Sequence, residues 1–176
     1  AELLSIIADN TQIKATTFEH GIDLIKAVKT PEEIKGLREV AKMDSRTIDA
    51  FIEDVRARLK RGETLTEYDL SVILHEHRAR NPGFISESFE TIAAINANAA
   101  QPHYAPTKEK ATPVTLPCVL LVDSGAQYDK GTTDITRVWL LGEPEDMDPA
   151  MFAELTADYQ AVFNAMTALQ NARFKP

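Results

Sequence analysis

Apolar residues return at three- and four-residue steps through Ile34, Leu37, Ala41, Ile48, Phe51, Ile52, Val55 and Leu59. This spacing predicts one long amphipathic helix. Thr30 is a suitable cap, Pro31 suits the first helical position, Glu33 closes a capping box, and the helix ends near Gly62. A second helix starts after Thr66, with Leu70, Ile73, Leu74 and His77 on one face, and Asn81-Pro82-Gly83 stops it. From Phe84 the pattern changes. Residues 84–85, 89–95, 119–122 and 135–141 are short apolar or β-branched runs that predict strands. Gly125 and Gly131 punctuate a turn between the last two runs. Residues 96–113 hold Pro102, Pro106 and Pro113 and read as a loop; residues 142–149 read as an acidic one. Asp148-Pro149 starts a third helix, with Phe152, Leu155, Tyr159, Val162, Phe163, Met166 and Leu169 expected inward. Two helices, several strands and a further helix make an α+β arrangement.

Composition narrows the function classes. The chain has 176 residues, of which 44% are hydrophobic, enough for a real core and against disorder. Its net charge of −8 comes without a basic cluster, which argues against binding nucleic acid through its phosphates. No apolar run approaches the roughly 20 residues that span a membrane. Residues 1–15 lack the basic start and apolar middle of a signal peptide. Cys118 is the only cysteine, so the chain has no internal disulfide and no cysteine-based zinc site. This fits a reducing cytoplasm, the expected location. Cys118 itself reads as a buried structural thiol.

The candidate chemistry lies in two aspartates. Asp123 follows four apolar residues, and Asp134 stands at the start of the opposite strand, eleven residues on. An aspartate at the end of a buried strand is costly unless it is paired, hydrogen-bonded or bound to metal. Carboxylates converging across a hairpin suit Mn²⁺, Co²⁺ or Zn²⁺, and two such ions ~4 Å apart activate a water between them. Spacing alone also allows both aspartates to be turn or cap residues, the commoner use of aspartate in such places. His103, in Pro102-His103-Tyr104-Ala105-Pro106, reads either as a proton shuttle or oxyanion donor or as a surface loop histidine. Arg137 reads either as a partner orienting a metal-ligating carboxylate or as a surface arginine. His75 and His77 are two apart on a helix and point to different faces, so they form no helical metal pair.

Asp123-Ser124-Gly125-Ala126-Gln127-Tyr128, Gly131-Thr132-Thr133-Asp134-Ile135-Thr136-Arg137 and His103-Tyr104-Ala105-Pro106 together resemble the proline-specific metallopeptidases of the pita-bread fold. The closest likeness is to the Xaa-Pro aminopeptidases (aminopeptidase P) in their longer, multi-domain form. The similarity runs from about Ile22 onward. The resemblance implies that residues 1–21 are the tail of a preceding domain or a linker. Residues 22–176 would be the N-terminal half of the pita-bread catalytic domain, with helices on a mainly antiparallel sheet. It implies two divalent metal ions, commonly manganese, with cobalt or zinc as alternatives. By the same resemblance Asp134 bridges the ions, Asp123 binds one of them, and His103 contacts substrate and assists proton transfer. The family's remaining ligands, one histidine and two glutamates, are expected after Pro176, so these residues alone are expected to be inactive. Asn96-Ala97-Asn98-Ala99-Ala100-Gln101 departs from the more glycine-rich stretch the family carries before its histidine. The implied activity is release of an N-terminal residue that precedes proline. The implied partner is a peptide with proline in second position; a homodimer is open, and neither nucleic acid nor membrane is expected. A prolidase-type dipeptidase and a non-catalytic pita-bread module that binds peptides or proteins are the alternatives. The two retained aspartates favour the enzyme.

Overall fold

A computed structural model describes residues 21–172. His20 and the apolar residues before it lie outside the described residues. Among the described residues there are four α-helices: α1 (Gly21–Ala27), α2 (Pro31–Lys60), α3 (Glu67–Arg78) and α4 (Pro149–Asn171). The strands are β1 (Phe84–Glu87), β2 (Ile92–Ile95), β3 (Cys118–Ser124), β4 (Ala126–Tyr128), β5 (Gly131–Thr132) and β6 (Ile135–Leu141).

The predicted helix starts are built as expected. At α2 the Glu33 amide donates to Thr30 Oγ1 at 3.2 Å, and the Thr30 amide donates to Glu33 Oε2 at 2.8 Å. The start of α3 repeats this box with Thr66 and Asp69. The buried stripe of α2 holds Ile48, Phe51, Ile52 and Val55, as the spacing predicted, but its first half differs. There the buried positions are Gly36, Val40, Asp44 and Thr47, while Ile34 and Ala41 are exposed. Counting back from Ile48 in steps of four reaches Asp44 and Val40. The buried face therefore passes through a polar residue that an apolar count skips.

Two three-stranded antiparallel sheets follow, β1-β4-β5 and β2-β3-β6. Strand β3 is central in its sheet, with a burial pattern that alternates along its whole length. Cys118, Leu120, Val122 and Ser124 face the helices. Phe51 and Val55 of α2 and Leu70 and Leu74 of α3 are fully buried against them. Trp139 is half-buried at the edge of this core. A smaller cluster of Val40, Ala126 and Tyr128 sits under the first sheet. The connection from β3 to β6, expected as a simple turn, makes a detour through the β4–β5 hairpin. Strands of three and two residues are too short to announce themselves by alternation.

Helix α4 departs from expectation more strongly. It is capped as predicted, with Asp148 accepting from the amides of Ala150 and Met151. None of its residues is buried. Phe152 and Leu155 are half-covered, whereas Tyr159, Val162, Phe163, Met166 and Leu169 are 56–65% exposed. Helical periodicity tells which residues share a side; it does not supply an element to lie against that side.

Candidate metal centre

Asp123 occupies the penultimate position of β3, between Ile92 of β2 and Thr136 of β6. Residues of β3 that share its face are only half-covered, so its carboxylate lies away from the core. Its Oδ1 is nevertheless buried and has no hydrogen-bond partner. An orphaned buried acceptor costs about 1–3 kcal/mol, and more if charged. A cation relieves this cost.

Asp134 is exposed in the two-residue link between β5 and β6. Ser124 pairs with Ile135, and the Thr133 amide donates to the Ala126 carbonyl at 2.9 Å, so the antiparallel pairing continues past the end of β6. In that register Asp134 stands opposite Gly125, two residues before Thr136 and therefore on the same sheet face as Asp123. Such diagonal neighbours have backbone positions roughly 7–8 Å apart, close enough for side chains to meet. Gly125 permits the close approach, because a Cβ there would collide with the Thr133 carbonyl and the Ser88 hydroxyl. Among the described residues, no three His, Cys, Asp or Glu side chains gather to hold an ion by themselves. What the residues offer is a pair of carboxylate arms, one with a free buried oxygen, which suits a hard or borderline cation.

His103 is exposed, with φ of 58°. The left-handed region is uncommon for a side-chain-bearing residue and persists where its surroundings hold it. The hold is at the next residue. Tyr104 donates to Glu67 Oε2 at 2.6 Å, and Glu67 is fully buried at the start of α3. The same carboxylate accepts from the Ile95 amide at 2.8 Å, the Thr112 amide at 3.0 Å and Asn98 Nδ2 at 3.0 Å. Burial opposes ionisation of Glu67, but the hydrogen bonds from Tyr104, Ile95, Asn98 and Thr112 outweigh it and hold its carboxyl below the ordinary value. Burial and the adjacent Glu67 push the Tyr104 hydroxyl up. No hydrogen bond links His103 to either aspartate.

Arg137 pairs with Val122, so it stands on the core-facing side of the sheet, opposite to Asp123. It is exposed there and donates to the carbonyl of Thr136 at 2.8 Å. No hydrogen bond brings it to either carboxylate. The reason is arithmetic: it lies three positions past Asp134, and an odd step reverses the face. His75 and His77 diverge as expected, to Glu87 and Asp54 respectively. Cys118 is buried, and burial pushes its thiol up.

Beneath the aspartates lies a polar cluster that the sequence reading missed. Asp44 of α2 and Arg78 of α3 are both fully buried and joined by two hydrogen bonds, Nε to Oδ1 at 2.9 Å and Nη2 to Oδ2 at 3.0 Å. Tyr128, Thr133, Ser124 and Glu87 complete it. Desolvation and the Asp44 carboxylate push the Tyr128 hydroxyl up to about 12. The available signal was Asp44 falling in register with Val40, Ile48 and Phe51.

This fold, with paired carboxylates at a strand end, belongs to a known class of metal-dependent peptidases. Residues 35–175 match metallopeptidase family M24, and the chain belongs to that family. Within it, the chain is 35% identical to aminopeptidase P1 of Arabidopsis thaliana, over 87% of this chain and 26% of that one. Among solved structures it is similar to an X-prolyl aminopeptidase from Caenorhabditis elegans, a cytosolic enzyme with a di-nuclear active site. That likeness has 33% identity and a TM-score of 0.63 over 68% of this chain and 20% of that one. A prolidase from Thermococcus sibiricus shares the fold, with a TM-score of 0.64 and 24% identity over 89% of this chain and 44% of that one. The α+β arrangement is accordingly that of the pita-bread aminopeptidases and prolidases. The chain spans about a quarter or less of the length of the curated relatives it matches.

Proposed function

We propose that the protein carrying this chain is a dinuclear metal-dependent aminopeptidase that releases the N-terminal residue from peptides with proline in second position. The observation that carries the reading is the unpartnered buried oxygen of Asp123, on the sheet face that Asp134 shares, in a member of a metallopeptidase family. Residues 22–176 form the N-terminal half of its catalytic domain, and residues 1–21 belong to what precedes it. Asp123 and Asp134 are this chain's ligands to the two divalent ions, with manganese the first choice and cobalt or zinc the alternatives. When bound, such ions polarise the scissile carbonyl and activate water. His103 contacts the substrate and moves a proton during cleavage. The cytoplasm is the expected location; among the described residues no helix is long and apolar enough to cross a membrane.

The test is hydrolysis by the full-length protein with added Mn²⁺. A tripeptide with proline in second position should lose its first residue, and the same tripeptide with alanine there should not. Equal cleavage of both contradicts the proline specificity. Cleavage confined to an Xaa-Pro dipeptide would assign the prolidase activity instead.

A further inference from the structure

Resting on the ligand reading of Asp123 and Asp134, we infer that the buried Asp44–Arg78 pair positions these two carboxylates by gripping the residue beside each. Arg78 Nη2 donates to the hydroxyl of Ser124 at 3.1 Å, and Ser124 directly follows Asp123. Thr133 Oγ1 donates to Asp44 Oδ2 at 2.7 Å, and Thr133 directly precedes Asp134. Adjacent residues of an extended chain point to opposite faces, so fastening two hydroxyls on the inner face sets two carboxylates on the outer one. The grip is rigid because both ends belong to one doubly bonded ion pair, held between α2 and α3. Further bonds tie the same turn. Thr133 Oγ1 accepts from the Ala126 amide at 3.0 Å, and Tyr128 donates to Asp44 Oδ1 at 2.8 Å.

A pair like this is poorly explained as a stability device. Replacing buried ion pairs with apolar residues of similar volume is often neutral or stabilising, whereas fixing a unique geometry is a role they can fill. A metal site needs that geometry, since its ligands must be held within about 0.5 Å of the productive position. Asp44 and Arg78 are thus positioning residues that act through Ser124 and Thr133 and touch neither ion.

The experiment uses the full-length protein and Co²⁺ as the probe. Metal-free Thr133→Val, Thr133→Ser and Asp134→Asn are compared with wild type by thermal melting, by chelator-competition affinity and by the visible absorption of bound cobalt. Thr133→Val should melt cooperatively, bind cobalt about 10–100-fold more weakly and show an altered spectrum. Thr133→Ser, which keeps the hydroxyl, should restore affinity and spectrum. Wild-type affinity and spectrum in Thr133→Val would overturn the brace, as would Thr133→Ser binding as weakly as Thr133→Val. Asp134→Asn separates the two readings. If it alone loses metal, only the brace falls; if it binds two ions as wild type does, the ligand assignment falls and the brace with it. Should Thr133→Val lack a cooperative melt, Ser124→Ala applies the same criteria from the other end of the pair.

Discussion

Asp123 and Asp134 differ in what surrounds them, and the difference sets what each contributes. Asp123 has a buried oxygen with no hydrogen-bond partner, while Asp134 is exposed. His103 is held in a left-handed conformation one residue from the Tyr104–Glu67 hydrogen bond. In the full-length protein His103→Ala should keep its metal content and lose about 10²–10⁴-fold in kcat/KM, the usual range for one acid–base group. Steady-state kinetics beside metal analysis checks this; a loss within about twofold, as for an ordinary surface position, removes His103 from the site. Both aspartates and the histidine stand out as candidates because each sits in a short motif bounded by glycine or proline. Asp44 and Arg78 do not, because they are 34 residues apart and meet only once α2 packs on α3. The face on which Arg137 stands depends on where pairing starts, and only the register shows that.

At the scale of elements, helices α2 and α3 followed from caps and periodicity, since these signals are local. Strand β3 was found from its apolar run, but the β4–β5 hairpin exists only through pairing and left no period to read. Phe51 is fully buried at the meeting of α2, α3 and the second sheet. Phe51→Ala should destabilise the protein by about 3–5 kcal/mol, measured by urea unfolding, because it leaves a cavity in that core. Glu67 joins the start of α3 to β2 and to the loop that carries His103. Its folded carboxyl is lowered, so the stability it contributes is present above the ordinary carboxylate range and is lost as pH falls through the folded value. Melting temperatures of wild type and Glu67→Gln should therefore differ at neutral pH and converge in acid. A gap that stays constant down to about pH 3, below the ordinary glutamate value, contradicts that sign.

At the scale of the molecule, the core is built mainly from α2, α3 and the sheets, with Leu65 and Val114 beside them, and two helices show apolar residues outward. On α1 and just past its end, Ile22, Leu24, Ile25 and Val28 are 70–78% exposed, and on α4 the row from Tyr159 to Leu169 is similarly open. Exposed apolar faces of this kind mark surfaces that associate. Expressed alone, these 176 residues should elute with an apparent mass that rises with concentration. They should also show no release of residues before proline with added Mn²⁺, because two carboxylates leave most of a divalent ion's coordination to water. A monomer that cleaves such a peptide would show that the ligands all lie within the chain. The inward face expected for α4 is exposed here because helix spacing reports only which residues share a side, not what lies against that side.

As proposed, Asp123 and Asp134 hold a pair of metal ions. The most direct measurement is an anomalous difference map from crystals of the full-length protein loaded with Mn²⁺, collected at the manganese edge. Two peaks about 3.5–4 Å apart are expected, with carboxylate oxygens of both Asp123 and Asp134 within bonding distance of them. Manganese peaks elsewhere, with these two carboxylates bound only to water or protein, would contradict it.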